Sequence, residues 1–77
     1  MAYNYRKLLG RITEKYGTQA KFSVAMGLSE RSISLKLNQK VGWKQDEISK
    51  AANLLDISLD QISAYFFAVE VQEIEQQ

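Results

Sequence analysis

Apolar residues recur at helical spacing along most of the chain. Tyr5, Leu8, Leu9, Ile12 and Tyr16 share one face, which predicts a first helix from about Asn4 to Tyr16, stopped by Gly17. Thr18 is placed to cap a second helix whose apolar face is Phe22, Ala25 and Met26. Gly27 ends it, because a residue without a Cβ takes the left-handed conformation at no steric cost. Ser29 then caps a third helix with Ile33 and Leu37 inward, and Leu28 in the elbow is expected to be buried. A fourth helix is expected from Lys44 or Gln45, turning Ile48, Ala51, Ala52 and Leu55 inward, with Asp46 and Glu47 complementing its N-terminal dipole. Ser58 with Gln61 reads as a capping box opening a fifth helix that offers Leu59, Ile62 and Phe66. The period then changes to two. Phe67, Val69 and Val71 alternate with Ala68, Glu70 and Gln72, which predicts a short extended segment before a frayed end at 73–77.

The stretch from Thr18 to Asn38 leaves too little chain between its two helices for anything but a tight helix-turn-helix. Such an elbow lets its second helix enter a DNA major groove while the first crosses the backbone. A helical hairpin that only packs the domain would share the apolar pattern, but the caps and spacing favour the DNA-reading geometry.

Gln19, Gly27, Ser29 and Ile33 resemble the phage repressor and Cro family of helix-turn-helix proteins. Tyr5-x-x-Leu8-x-Gly10-Arg11-Ile12, the run Ser34-Leu35-Lys36-Leu37-Asn38 and the late Tyr65-Phe66-Phe67 are similar to a narrower branch. That branch holds Cro-like proteins and modulators of repression from temperate phages of Gram-positive bacteria. The resemblance spans about residues 3–68 and departs from the family at Ser23, Glu30 and Gln39. It implies an all-α, compact five-helix, lambda-repressor-like domain over residues 1–68, with its motif at 18–38 and a tail, extended or frayed, at 69–77.

Composition narrows the chemistry. A chain of 77 residues buries only about 60% of its unfolded surface, enough for one modest core. With no Cys and no His, disulfides, thiolate or imidazole metal sites and Ser–His pairs are unavailable, so no cofactor or metal is expected. Ser29, Ser32 and Ser34 lack a general base, and Gly10, Gly17, Gly27 and Gly42 form no phosphate loop. A catalytic role is therefore not expected. No apolar run approaches the roughly 20 residues that span a bilayer, and the start lacks a secretory signal. A bacterial host cytosol is the expected location, which also suits a chain without Cys.

Charge is segregated. Residues 1–45 hold nine basic side chains against two acidic, a net of +7, while residues 46–77 hold one basic against seven acidic, a net of −6. A basic half of this kind suits a polyanion, with the acidic end kept away from it.

The family geometry implies that Glu30, Arg31, Ser34 and Leu35 face outward to base edges. Arg31 could bond bidentately to guanine, Ser34 could reach several base edges, and Leu35 could meet a thymine methyl or a protein. Glu30 has three open roles: accepting from cytosine, complementing its own helix start, or repelling phosphate. Gln19, as the family's equivalent glutamine does, would hold a phosphate, with Lys21, Lys36, Asn38, Gln39, Lys40 and Lys44 as further phosphate candidates. Trp43 reads as a hydrophobic plug with a partly exposed indole N–H, or as a partner contact. Leu35, Trp43, Phe67, Val69 and Val71 are the protein-partner candidates.

Two functions follow. One is a Cro-like transcriptional regulator that binds double-stranded operator DNA, as a homodimer joined through its C-terminal end. The other is a modulator of repression that binds the phage lysogeny repressor itself. The first is the main expectation and the second its alternative.

Overall fold

The structure, a computed structural model, describes residues 3–69. It is all-α, with five helices in the order α1 Arg6–Tyr16, α2 Gln19–Met26, α3 Glu30–Leu37, α4 Gln45–Leu54 and α5 Ile62–Phe66. A short 3-10 turn, Leu59–Gln61, leads into α5.

Local signals explain most of the boundaries. Asn4 Oδ1 accepts the Arg6 N–H at 2.9 Å, so α1 begins two residues later than its apolar face suggests. The Thr18 hydroxyl accepts from the Lys21 N–H at 3.2 Å, and the Ser29 hydroxyl accepts from the Ser32 N–H at 3.1 Å. Between them Gly27 sits at φ 73°, its N–H bonded to the Ser23 and Val24 carbonyls. A Cβ there would meet only Lys50 Nζ at 3.7 Å, so the backbone conformation, not crowding, calls for glycine. Thr18→Ala and Ser29→Ala are each expected to cost about 1 kcal/mol. Urea denaturation checks this, and an unchanged midpoint in both would mean that neither cap stabilises the elbow.

The end of α4 is closed from outside the helix. Arg11 Nε donates to the Leu55 carbonyl at 2.8 Å and Arg11 Nη2 to the Asp56 carbonyl at 3.3 Å. A cation here complements the negative end of the helix dipole. Asp56 turns through φ 55°, and its carboxylate pairs with Lys15. The Lys15 hydrogen bond and charge hold that carboxyl below its ordinary range.

The core forms where α2 packs on α1, α3 and α4, with α5 closing over α1. Phe22, Phe66, Leu8, Ile12, Ile33 and Leu55 are fully enclosed, and Leu37, Met26, Ala51 and Ala52 extend the same cluster. Leu28 and Ile48 are only half-buried at its edge, so the elbow is less covered than expected.

The C-terminal third departs from expectation. The Ser58 hydroxyl donates to Asp60 Oδ1 at 2.6 Å and makes no cap bond. The capping box with Gln61 is therefore absent, and the chain makes a 3-10 turn that leaves Leu59 87% exposed. The period-two stretch yields one antiparallel bridge, Tyr3 to Val69, beside a 2.7 Å bond from the Asn4 N–H to the Ala68 carbonyl. Glu70, Val71 and the rest of the expected tail lie outside the described residues. Among the described residues, no helix is long and apolar enough to cross a membrane.

Candidate interaction surfaces

The elbow presents the first surface. Glu30 and Arg31 are exposed on the first turn of α3, while Ser34 and Leu35 are half-buried further along. Lys21, Lys40 and Lys44 are exposed around them and Gln19 is half-buried at the start of α2. Asn38 is exposed, but its amide folds back, donating to the Ser34 carbonyl at 2.8 Å and to the Ser34 hydroxyl at 3.3 Å.

Two of the phosphate candidates are corrected by their surroundings. Lys36 is only 5% exposed. Its ammonium lies 2.9 Å from Glu47 Oε1 and 3.3 Å from the Gly42 carbonyl, so it points into the protein and away from any bound backbone. Gln39 is exposed, yet both ends of its amide are spent on the backbone of Tyr3. Glu47 is held from two sides, because its Oε1 also accepts the Lys44 N–H at 2.9 Å. Desolvation works to raise its pKa, but the hydrogen bonds and positive charges of Lys44 and Lys36 outweigh this and keep the carboxyl below its ordinary range.

The second surface is aromatic. Trp43 packs edge-on against Phe66, with ring centres 5.3 Å apart. Tyr3 lies 6.1 Å from Tyr5 and meets Phe67 edge-on at 6.0 Å. With Gln39, Val41, Gly42 and Ile48 these rings wall a hollow of about 380 Å³. A neighbouring hollow of about 560 Å³ shares Trp43, Ile48 and Phe67 and runs on past Ser49 to Leu59 and Ile62. Among the described residues, no charged side chain lines either hollow, in a chain whose residues are 25% charged. Phe67, Val41, Val69 and Tyr3 remain between 40% and 47% exposed. The indole N–H of Trp43 is buried, not partly exposed as expected, because the ring is set deep against Phe66, and it has no hydrogen-bond partner among the described residues.

Residues 1–69 match the family described as "Protein of unknown function (DUF739)". The chain belongs to this family. Among solved structures it is similar to the modulator of repression of the temperate bacteriophage TP901-1 from Lactococcus lactis. The two are 57% identical, the match covers 94% of this chain and 97% of that one, and the TM-score is 0.79. No curated protein sequence matches it. The expected resemblance to modulators of repression thus meets a solved structure, while the wider kinship with Cro and repressor proteins rests on the motif residues alone.

In this DUF739 chain the partner candidates Trp43 and Phe67 come together on one wall, and Val69 lies beside them through its bridge to Tyr3. Leu35 stands apart on α3, and Val71 lies outside the described residues. The pattern of the chain does not single out Tyr3 or Val41, whereas Leu59, expected on the fifth helix, is exposed beside this face. Of the first two, only Tyr3 carried a signal, since it alternates with Tyr5 at the spacing of an extended segment.

Proposed function

We propose that this chain controls lysogeny in a temperate phage as a modulator of repression, binding the phage's lysogeny repressor through its aromatic face. The identity of 57% with the TP901-1 modulator, running nearly end to end, carries this reading. The physics of the face supports it. Tyr, Trp and Phe supply large contact areas at low entropic cost, and such residues dominate protein–protein hot spots. A hollow whose described lining carries no charge gives little to phosphate and much to an apolar side chain. This role is a binding function without catalysis, in keeping with a sequence that has neither His nor Cys.

The test is calorimetric titration of the purified chain with the lysogeny repressor of its own phage. Wild-type protein should bind, and Phe67→Ala should weaken binding by about 2 kcal/mol, near thirtyfold. No heat of binding with a folded repressor that still binds its operator would sink the proposal.

Operator binding is a second reading, favoured by the exposed Arg31, Lys21, Lys40 and Lys44 around a capped α3. It is weakened by the inward Lys36 and the engaged Gln39. It requires binding to operator DNA alone, falling steeply with salt. Arg31→Ala would then cost about 1–3 kcal/mol and relax the preference at one base pair. A gel shift without repressor at low salt decides it.

A further inference from the structure

Gln39 follows α3 directly and reaches the far end of the sequence. Its Oε1 accepts the Tyr3 N–H at 2.8 Å, and its Nε2 donates to the Tyr3 carbonyl at 2.6 Å. Tyr3 is paired with Val69 as antiparallel strands pair. In such a ladder a residue's N–H and C=O point together, toward one neighbour or the other. Those of Tyr3 point to Gln39, while the next N–H, that of Asn4, goes to Ala68 on the opposite side. A primary amide carries both a donor and an acceptor, as a peptide group does. The Gln39 side chain therefore occupies the place of a third strand.

The backbone shows that this is not the easy choice of residue. Gln39 sits at φ 63°, where glycine is at ease and a glutamine is not. Glycine would relieve the backbone and lose the amide. What the amide holds is also specific: the Tyr3 ring meets Tyr5 and Phe67, and Tyr3, Gln39 and Phe67 wall the same hollow. The other end of the clasp is firm, since α3 is anchored by the buried Ile33 and Leu37.

We propose that Gln39 is a positioning residue for partner binding: its amide fixes Tyr3 and so shapes the aromatic hollow before the partner arrives. The inference rests on the reading that this face binds the repressor. Pre-ordering one wall removes part of the entropic cost of association.

The experiment compares full-length wild type with Gln39→Gly and Gln39→Glu. The glutamate keeps the acceptor for the Tyr3 N–H but sets a carboxylate oxygen against the Tyr3 carbonyl. In both variants the nuclear Overhauser contacts between the Tyr3 and Phe67 rings should vanish, and the Tyr3 amide resonance should move toward its random-coil position. Repressor affinity should fall by about threefold to tenfold. The Gln39→Gly melting temperature should hold or rise, because the left-handed backbone is relaxed, and a purely structural role would lower it. Ring contacts that persist in Gln39→Gly overturn the inference, whatever the affinity does. Lost contacts with unchanged affinity overturn it too, and so does weakened binding with the contacts intact, which would make Gln39 a direct contact. Wild type that binds no repressor defeats the functional reading, while the Tyr3 resonances still decide whether the clasp exists.

Discussion

Phe22→Ala is expected to leave the chain close to the edge of folding. Phe22 is completely enclosed, lies 5.5 Å from the Tyr16 ring, and belongs to the helix that packs on α1, α3 and α4. Removing a buried phenyl ring costs about 3–5 kcal/mol, from lost transfer free energy and from the cavity left behind. A domain of this size has a total stability of roughly 4–12 kcal/mol. One substitution thus removes a large share of it. The urea midpoint should fall by about 2–4 M, taking the shallow denaturant slope of a small domain. Val24, two residues further along the same helix, is 80% exposed, so Val24→Ala should stay within about 0.5 kcal/mol of wild type. Equal effects at the two positions would show α2 to be rotated from the orientation described.

The second large effect is expected at the Lys36–Glu47 pair. Side-chain exposures are 6% for Lys36 and 13% for Glu47, so each charge depends on the other for what water would otherwise provide. Lys36→Met should cost on the order of 3 kcal/mol at neutral pH, because it strands a carboxylate in a poorly hydrated place. Lys36→Met with Glu47→Gln should recover part of that loss. The pH dependence has a definite sign. The Glu47 carboxyl is held below its ordinary range in the fold, so its contribution is complete above the unfolded value of about 4.3. It is lost as pH falls through the depressed folded value. The gap between wild type and Lys36→Met, measured by urea at pH 7 and pH 3, should therefore narrow in acid. A gap of constant width would mean that Lys36 stabilises by packing alone.

These two sites mark the boundary of what the sequence discloses. Caps and helix stops act over three or four residues, and Thr18, Gly27 and Ser29 can be read from their neighbours alone. Inward faces follow from the helical period, which places Phe22, Ile33 and Leu37 correctly. Lys36 defeats that reasoning. Between Leu35 and Leu37 it reads as a solvated basic residue, and its burial depends on Glu47 and Gly42, which only the folded chain brings to it. Gln39 fails for the same reason, since its partner is 36 positions away. Ser58 had two acceptable partners within reach, the backbone of the next turn and the Asp60 carboxylate, and the pattern could not rank them. Of the candidate site, Trp43, Phe67 and Val69 stood out as large apolar residues without a helical face. That Tyr3 would join them was hidden by the distance along the chain.

The bridge between Tyr3 and Val69 joins the two ends of the described chain. This is the longest loop that a described contact closes. What holds it beyond the packing of α5 on α1 (the bridge, the Asn4–Ala68 bond, the Gln39 clasp and the edge of the Phe67 ring) lies at exposed or half-exposed residues and rewards closure weakly. The ends should therefore meet last during folding and part first in the native state, by local opening that leaves the helical core intact. Amide hydrogen exchange should show this directly, with the Asn4 N–H exchanging far faster than those of buried α1 and running independently of global stability. The aromatic face then has its own folding equilibrium, separate from that of the domain that carries it, and a partner that binds the closed form draws on that smaller equilibrium alone.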